Sequence, residues 1–106
     1  MPNSRPELLE DHAAEAAGIL RALANERRLM ILGKLVECGE ASVGSLAEAV
    51  EVSQSALSQH LAKMRAEGLV TYRRESQTLW YRIADRGIER LFVTLNQVFG
   101  TNKKRC

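Results

Sequence analysis

The hydrophobic period of the chain changes at Gly68, and this change limits the possible folds more than any other feature of the sequence. Before Gly68, apolar residues recur every three or four positions, which indicates amphipathic helices. From Leu69 to Ile83 the residues are mainly β-branched or aromatic, with a polar break at 75–77, and this pattern indicates a β-hairpin. Helical spacing returns after Asp85. The sequence therefore predicts a mainly α-helical domain with one hairpin, in the order α-α-α-α-β-β-α.

The length and composition fit one small globular domain. The chain has 106 residues, of which 45% are hydrophobic and 26% are charged, and these values are ordinary for soluble proteins. We expect one domain over residues 1–106, with mobile termini at 1–12 and 101–106. No apolar run approaches the roughly 20 residues that cross a bilayer, and Met1–Glu10 does not resemble a signal peptide. We therefore expect a cytoplasmic protein with no membrane partner.

Four helices are predicted before the hairpin. The first begins near Pro6 and is rich in alanine, so that another helix could approach it closely. The second follows Asn25, a suitable capping residue, and stops at Gly39. The third lies within Ser42–Val50, and a turn at 51–52 joins it to the fourth. Two helices joined by such a short turn form a helix-turn-helix, whose second helix can enter the major groove of DNA.

The fourth helix, which Ser53 is suited to cap, has two different faces. Leu57, Leu61 and Met64 lie at positions i, i+4 and i+7 and form an apolar stripe for a core. The opposite face carries short hydrogen-bonding side chains in place of the Glu and Lys pairs usual on a solvated helix. Such side chains can approach the edges of bases. The candidate DNA contacts on this helix are Ser53, Gln54, Ser55, Ser58, Gln59 and Lys63.

Charge is unevenly distributed along a chain whose net charge is only +2. Residues 53–83 contain five Lys or Arg and two Glu, whereas residues 37–51 contain four Glu and no basic residue. Arg73 and Arg74 lie next to the tip of the predicted hairpin, where they could contact DNA phosphates. Two alternatives remain open, because charged residues also occur on ordinary solvated faces and on strand edges that avoid pairing.

The last helix, which follows the capping residue Asp85, carries more apolar surface than a domain of this size leaves in water. Its apolar residues are spaced three and four apart along one stripe. This stripe either closes the core of one chain or pairs with a second subunit. Its members are Ile88, Leu91, Phe92, Leu95, Val98 and Phe99.

Two segments, together with the order of elements, resemble the ArsR/SmtB family of bacterial winged-helix repressors. They are Leu-Ala-Asn-Glu-Arg-Arg-Leu-Met-Ile-Leu at 23–32 and Ser-Gln-Ser-Ala-Leu-Ser-Gln-His-Leu at 53–61. The resemblance extends from about Ala14 to Gly100 and is to the metal-independent branch of NolR-, HlyU- and BigR-type regulators. It implies a winged helix-turn-helix homodimer that binds a pseudo-palindromic operator in double-stranded DNA, with one recognition helix in each of two successive major grooves.

The resemblance also implies roles for individual residues. The hairpin becomes a wing in which Arg73, Arg74 and Gln77 hold the DNA backbone, while His60 is a packed helix residue and not a ligand. The first and last helices form the dimer interface in the family. The residues implied there are Ala13, Ala17, Leu20, Ile88, Leu91, Phe92, Leu95 and Phe99.

The ligands of the family's metal sensors are missing from this chain. Those members carry a cysteine pair on the helix before the turn, or Asp and His ligands on the last helix, because zinc and softer metals need such groups. Residues 41–45 here read Ala-Ser-Val-Gly-Ser, and residues 86–100 contain no His or Cys. We therefore expect no metal and no other cofactor. No motif for a nucleophile, a phosphate loop or a carboxylate pair indicates an enzyme.

The two cysteines are displaced from the positions used by sulfur-responsive relatives. Gly33 and Gly100 occupy those positions, whereas Cys38 and Cys106 lie a few residues beyond them. On a helix, a shift of five residues turns the side chain by about 140°. We expect free thiols, the usual state in a reducing cytoplasm, with a displaced thiol or persulfide switch as the alternative.

A different class of function is a winged-helix module that binds a protein partner. Interfaces between proteins favour Trp, Tyr and Arg as anchors. The face that carries Gln54 and Ser58 has no large apolar or aromatic residue. The sequence therefore favours a DNA-binding regulator over a protein-interaction module.

Overall fold

The computed structural model describes residues 9–100. It confirms the predicted winged helix-turn-helix order and adds one very short strand. The prediction about Pro6, and the predicted mobile termini at 1–12 and 101–106 apart from residues 9–12, concern residues outside this range. Residues 9–11 are helical. The elements are α1 (Ala13–Leu23), α2 (Glu26–Cys38), β1 (Ala41–Ser42), α3 (Val43–Val50), α4 (Gln54–Ala66), β2 (Val70–Glu75), β3 (Thr78–Ile83) and α5 (Arg86–Val98).

Side-chain caps determine where four of the helices begin. Asn25, Ser42, Ser53 and Asp85 each accept a hydrogen bond from the backbone N–H three residues later, over distances of 3.1, 3.2, 3.1 and 3.0 Å. Each such cap satisfies an N–H that has no partner within its helix and stabilises the protein by about 1 kcal/mol. The predicted caps at Asn25, Ser53 and Asp85 are confirmed.

The two helices of the helix-turn-helix end in the same type of motif. At the end of α4, Gly68 takes a left-handed φ of 80°, and the N–H of Leu69 donates to the carbonyl of Met64 at 2.9 Å. At the end of α3, Glu51 has a φ of 57°, and the N–H of Val52 donates to the carbonyl of Ala47 at 3.1 Å. This six-to-one bond closes a helix and turns the chain sharply. It gives the short connection that α4 needs.

The hairpin belongs to a three-stranded antiparallel sheet in the order β1-β3-β2. Its register pairs Val70 with Ile83 at the base of the hairpin, and the turn lies at 76–77. Strand β1 was not predicted, because two residues are too few for a periodic pattern. It pairs Ala41 with Tyr81 and so attaches the start of α3 to the wing.

The core lies beneath α4 and includes side chains from α2, α3, the sheet and α5. Leu57, Leu61 and Met64 are each 0% exposed, which confirms the predicted apolar stripe. The prediction that Ile88 and Phe92 lie at a dimer interface is wrong, because they are 6% and 2% exposed within a single chain. They face the core, which α5 enters beside α2 and β3. Over residues 9–100, no helix is long and apolar enough to cross a membrane.

Candidate nucleic-acid interface

The outward face of α4 presents short polar side chains to solvent. Gln54, Ser55, Ser58 and Gln59 are exposed, as predicted. Ser55 and Gln59 lie opposite the buried stripe, whereas Gln54 lies at its edge, with its amide nitrogen beside Gly44 of α3. The apolar stripe is buried in the core, so the polar side of the helix is the one available to a partner molecule. Amide and hydroxyl groups on such a face can donate to and accept from base edges.

Three further side chains of α4 and its cap have distinct positions. The hydroxyl of Ser53 accepts from the N–H of Ala56, so that this group is occupied by the cap. Lys63 is exposed one turn beyond Gln59, where its ammonium extends the polar face. His60 is half-buried, as expected for a packed helix residue. Of the predicted contacts on α4 and its cap, Ser53 is therefore the one whose side chain caps a helix.

A cation–π contact joins α4 to the wing. The guanidinium carbon of Arg65 lies 4.5 Å from the centroid of the Tyr72 ring on β2. Tyr72 in turn packs against Tyr81 of β3, with ring centroids 5.2 Å apart, and burial raises the pKa of Tyr81. Such contacts are directional and fix the orientation of a guanidinium over a ring. Arg65 was not singled out from the sequence, because its ring partner could not be known without the hairpin register.

The two wing arginines point to opposite faces of the hairpin, since side chains alternate along a strand. Arg74 lies two residues after Tyr72 and therefore on the face that meets α4. It is exposed, and within residues 9–100 it forms no hydrogen bond or ion pair. Gln77 is exposed in the turn at the tip. Arg74 and Gln77 thus have exposed side chains on the wing, and their contact with phosphates stays a prediction.

Arg73 lies on the other face and is held by carboxylates. Its Nε and Nη2 atoms donate to the two carboxylate oxygens of Glu40 at 2.8 and 3.0 Å, and Nη1 lies 3.4 Å from Glu75. The guanidinium carbon also lies 5.8 Å from the centroid of the Trp80 ring. Hydrogen bonding between Arg73 and Glu40 lowers the pKa of Glu40 and raises the pKa of Arg73. The sequence placed both arginines on one DNA-contacting edge, and the structure instead gives Arg73 a partner within the protein.

Exposed apolar side chains lie on α1 and near the end of α5. Leu20 is 56% exposed and Phe99 is 77% exposed, while Leu91 and Leu95 are half-buried. Ala13 and Ala17 are exposed on α1 as well. These six residues remain candidates for an interface between subunits, whereas Ile88 and Phe92 do not. Val98 of the predicted stripe is exposed as well, and two further exposed apolar residues on these helices, Ile19 and Val93, were not singled out from the sequence.

Cys38, the last residue of α2, is disulfide-bonded. The expectation of a free thiol at this position is therefore wrong, and no cysteine within residues 9–100 is free. That expectation rested on the reducing conditions usual in a cytoplasm. Formation of a disulfide also depends on how the fold places the two sulfur atoms, which the sequence does not reveal. The chain has one other cysteine, Cys106, which lies outside the described residues.

Potential metal ligands are scattered in the part of the chain that the structure describes. Between residues 9 and 100, no three His, Cys, Asp or Glu side chains are grouped so that they could hold a metal ion. The acidic side chains that do have close partners pair with basic ones, as Glu37 does with Lys34 at 3.1 Å.

Comparison with protein families gives a match in the helical half of the chain. Residues 25–72 match the model described as "Bacterial regulatory protein, arsR family". This segment runs from the cap of α2 to the first strand of the wing and so includes the whole helix-turn-helix.

Three curated relatives illustrate the range of similar proteins. Nodulation protein NolR of Rhizobium meliloti is 47% identical over 95 residues, which are 90% of this chain and 76% of the relative. The transcriptional activator HlyU of Vibrio cholerae is 44% identical over 91 residues, or 86% and 83% of the two chains. A biofilm growth-associated repressor of Xylella fastidiosa is 35% identical over 106 residues, or 100% and 92%.

Two solved structures show the same architecture. Reduced HlyU from Vibrio cholerae has a TM-score of 0.79 and 42% identity, with 90% of this chain and 99% of that chain covered. The homodimeric winged helix-turn-helix DNA-binding domain Mb0332 from Mycobacterium bovis has a TM-score of 0.67 and 35% identity, with 93% and 88% covered. At these identities, the similarity concerns both fold and sequence.

Proposed function

Because the chain belongs to the ArsR family of bacterial regulatory proteins, we propose that it is a repressor that acts as a homodimer on a pseudo-palindromic operator. That it is a DNA-binding transcriptional regulator, and not an enzyme, follows from the family and from its named relatives. Those relatives include both an activator and a repressor. The repressor assignment is our choice between them, since a dimer bound across a promoter excludes other proteins from the same DNA.

The exposed polar face of α4 is the observation that carries this proposal. A helix that turns three apolar residues into the core and four short polar residues outward matches what a major groove admits. Glutamine can form two hydrogen bonds with an adenine edge, and serine can bond with several bases. Gln54, Ser55, Ser58 and Gln59 are accordingly the residues to which we assign base contacts, with Lys63 beside them on a phosphate.

The wing supplies the second set of contacts in this proposal. Arg74 emerges on the face of the hairpin that meets α4, and Gln77 lies at the tip. Contacts to phosphates carry no sequence information but fix the orientation of a protein on the duplex. We assign this task to Arg74 and Gln77. Arg73, which Glu40 holds, keeps the wing attached to the loop before β1.

The exposed apolar residues on α1 and α5 support a homodimer. Large apolar side chains as exposed as Phe99 and Leu20 mark contact surfaces when they occur together. A two-fold dimer places two copies of α4 on one face, so that half-sites about one helical turn apart become accessible. No metal is needed in this proposal, since the binding energy comes from phosphates and base edges. A regulator of this kind works where the chromosome is, which for a bacterial protein is the cytoplasm.

Selection of DNA from a random pool tests the proposed function. We expect the protein to enrich duplexes with two inverted half-sites from a pool whose random core is about 30 base pairs, or nearly three helical turns. The enriched duplex should bind at least about 1,000 times more tightly than a scrambled duplex of equal composition. Both complexes should weaken as salt is raised, because counterions are released on binding. A protein that enriches no duplex and forms no salt-sensitive complex would contradict the proposal.

The two wing arginines give a matched pair of variants. Arg74→Ala should reduce the slope of log affinity against log salt by about one phosphate contact and weaken binding to all duplexes alike. Arg73→Ala removes the same charge from the other face, so the slope should change less. Fluorescence anisotropy with the enriched duplex at several salt concentrations measures both. Equal slopes for Arg74→Ala and the unchanged protein would show that the wing does not contact the backbone.

A charge introduced among the exposed apolar residues of α1 and α5 should weaken the proposed dimer. Leu20→Glu and Phe99→Glu should each raise the dimer dissociation constant at least about 30-fold, since loss of an apolar anchor in an interface costs about 2 kcal/mol or more. Analytical ultracentrifugation measures this constant. Ala49→Glu adds the same charge at an exposed position of α3 and should leave the dimer intact. If Phe99→Glu and Ala49→Glu behaved alike, the interface would lie elsewhere.

A thiol-responsive regulator is the second candidate, and the disulfide at Cys38 is the observation that favours it. A disulfide at the end of α2 ties this helix to another segment, and reduction of the bond would release it. Cys106 is the other cysteine of the chain and so the sulfur available within it. The reaction is an exchange in which two electrons from an external dithiol convert the disulfide to two thiols.

Reduction should therefore change the affinity for the enriched duplex if the cysteines regulate binding. We expect a difference of at least about five-fold between protein treated with a dithiol and protein treated with an oxidant, a typical size for coupling between sites. Cys38→Ser and Cys106→Ser should each abolish the difference. Identical affinities in both redox states would assign the disulfide to stability alone.

A further inference from the structure

We propose that Arg28 and Glu67 are positioning residues that hold the end of the recognition helix α4 against the corner between α1 and α2. The pair contacts no DNA in this proposal. It acts through the orientation of α4, and so through the base contacts of that helix. This inference rests on the proposed function, because its effect is on discrimination between DNA sequences.

The contact joins three helices at one guanidinium. Nη1 and Nη2 of Arg28 donate to the two carboxylate oxygens of Glu67 at 2.6 and 3.2 Å. Nη1 also donates to the carbonyl of Ala22, near the end of α1, at 3.1 Å. Arg28 is in the first turn of α2, and Glu67 is the residue that follows α4. The side chain of Arg28 is only 13% exposed, whereas that of Glu67 is 44% exposed.

Apolar packing alone defines the orientation of α4 less strictly than a directional contact does. Leu57, Leu61 and Met64 fix which face of the helix is inside, but apolar contacts have no preferred direction. A bidentate pair between a guanidinium and a carboxylate has a defined planar geometry. At the C-terminal end of α4, this pair restrains the tilt of the helix and the angle at which its polar face meets a partner.

Glu67 is otherwise badly placed for a carboxylate. The C-terminal end of a helix carries a partial negative charge, so an acidic residue there is repelled. A carboxylate beside a DNA-binding face also repels phosphates. The positive charge of Arg28, paired with the carboxylate, offsets both effects. The hydrogen bond from Arg28 also lowers the pKa of Glu67, and Lys63 contributes in the same direction. The hydrogen bonds from Arg28 therefore account for a carboxylate at this position.

The neighbouring arginine makes a parallel contact to the other helix of the motif. Nη1 of Arg27 donates to the carbonyl of Val50, the last residue of α3, at 3.1 Å. A cation at a helix C-terminus is favourable. Two successive arginines at the start of α2 therefore hold the C-terminal ends of both helices in the helix-turn-helix. Through Ala22, Arg28 also connects this motif to α1, on which part of the candidate dimer surface lies.

Removal of the carboxylate separates positioning from simple electrostatics. If Glu67 were only a surface charge near DNA, Glu67→Gln would tighten binding to every duplex alike. If it positions α4, Glu67→Gln should lower the ratio of affinities for the enriched and the scrambled duplex by about three- to ten-fold, with the loss confined to the enriched duplex. Both affinities are measured by anisotropy at one salt concentration.

Three further variants complete the experiment. Glu37→Gln removes the same charge from the pair with Lys34 within α2 and should keep the ratio of the unchanged protein. Arg28→Lys keeps the charge but loses the bidentate geometry, and should lower the ratio. The double variant Arg28→Gln/Glu67→Gln should lower it no further than Glu67→Gln alone, because the two act as one contact. Urea unfolding of each variant confirms that it is folded.

The outcomes distinguish this inference from the proposed function. If the unchanged protein does not discriminate between the two duplexes, the proposed function itself fails. If the unchanged protein discriminates between the duplexes but Glu67→Gln and a folded Arg28→Lys keep the same ratio, only the positioning role is overturned. A ratio that falls for both variants and stays constant for Glu37→Gln supports it.

Discussion

Burial of the Leu57, Leu61 and Met64 stripe is the constraint on which the rest of the interface depends. These side chains fill the core beneath α4, and removal of one would cost about 2–5 kcal/mol, a large part of the stability of a domain this small. With that face fixed inside, the polar residues of the same helix must face solvent. The capping bond at Ser53 and the left-handed turn at Gly68 fix the ends of the helix, so the length of the exposed face is set as well.

Directional contacts then place the other elements relative to α4. Arg65 stacks on Tyr72 and fixes the wing, while Arg28 binds Glu67 beyond the same end of the helix. A third contact, from Arg73 to Glu40, ties the wing to the loop before β1. The contacts of Arg28 and Arg73 join residues 39 and 33 positions apart in the sequence. All three contacts use a guanidinium, whose flat shape suits both rings and carboxylates. In the proposed function, the arginines of this chain therefore divide between holding the protein together and binding DNA.

The sequence predicted features that depend on local chemistry and missed those that depend on long-range pairing. Helix caps, the turn at Gly68 and the hairpin arise from residues a few positions apart, and they were found where expected. The partner of Arg73 lies 33 residues away, so the sequence could not exclude it from the DNA-contacting face. The stripe on α5 was visible, but its division into a core side at Phe92 and an exposed side at Phe99 required the packed structure.

The role of α4 in reading bases is tested most directly by repeating the DNA selection with Gln54→Ala and with Ser58→Ala. We expect each variant to lose base preference at one pair of symmetry-related positions, by about 1–3 kcal/mol per substituted contact, and to keep it at all others. Preferences identical to those of the unchanged protein, or a uniform loss at every position, would contradict the assignment of this face to the major groove.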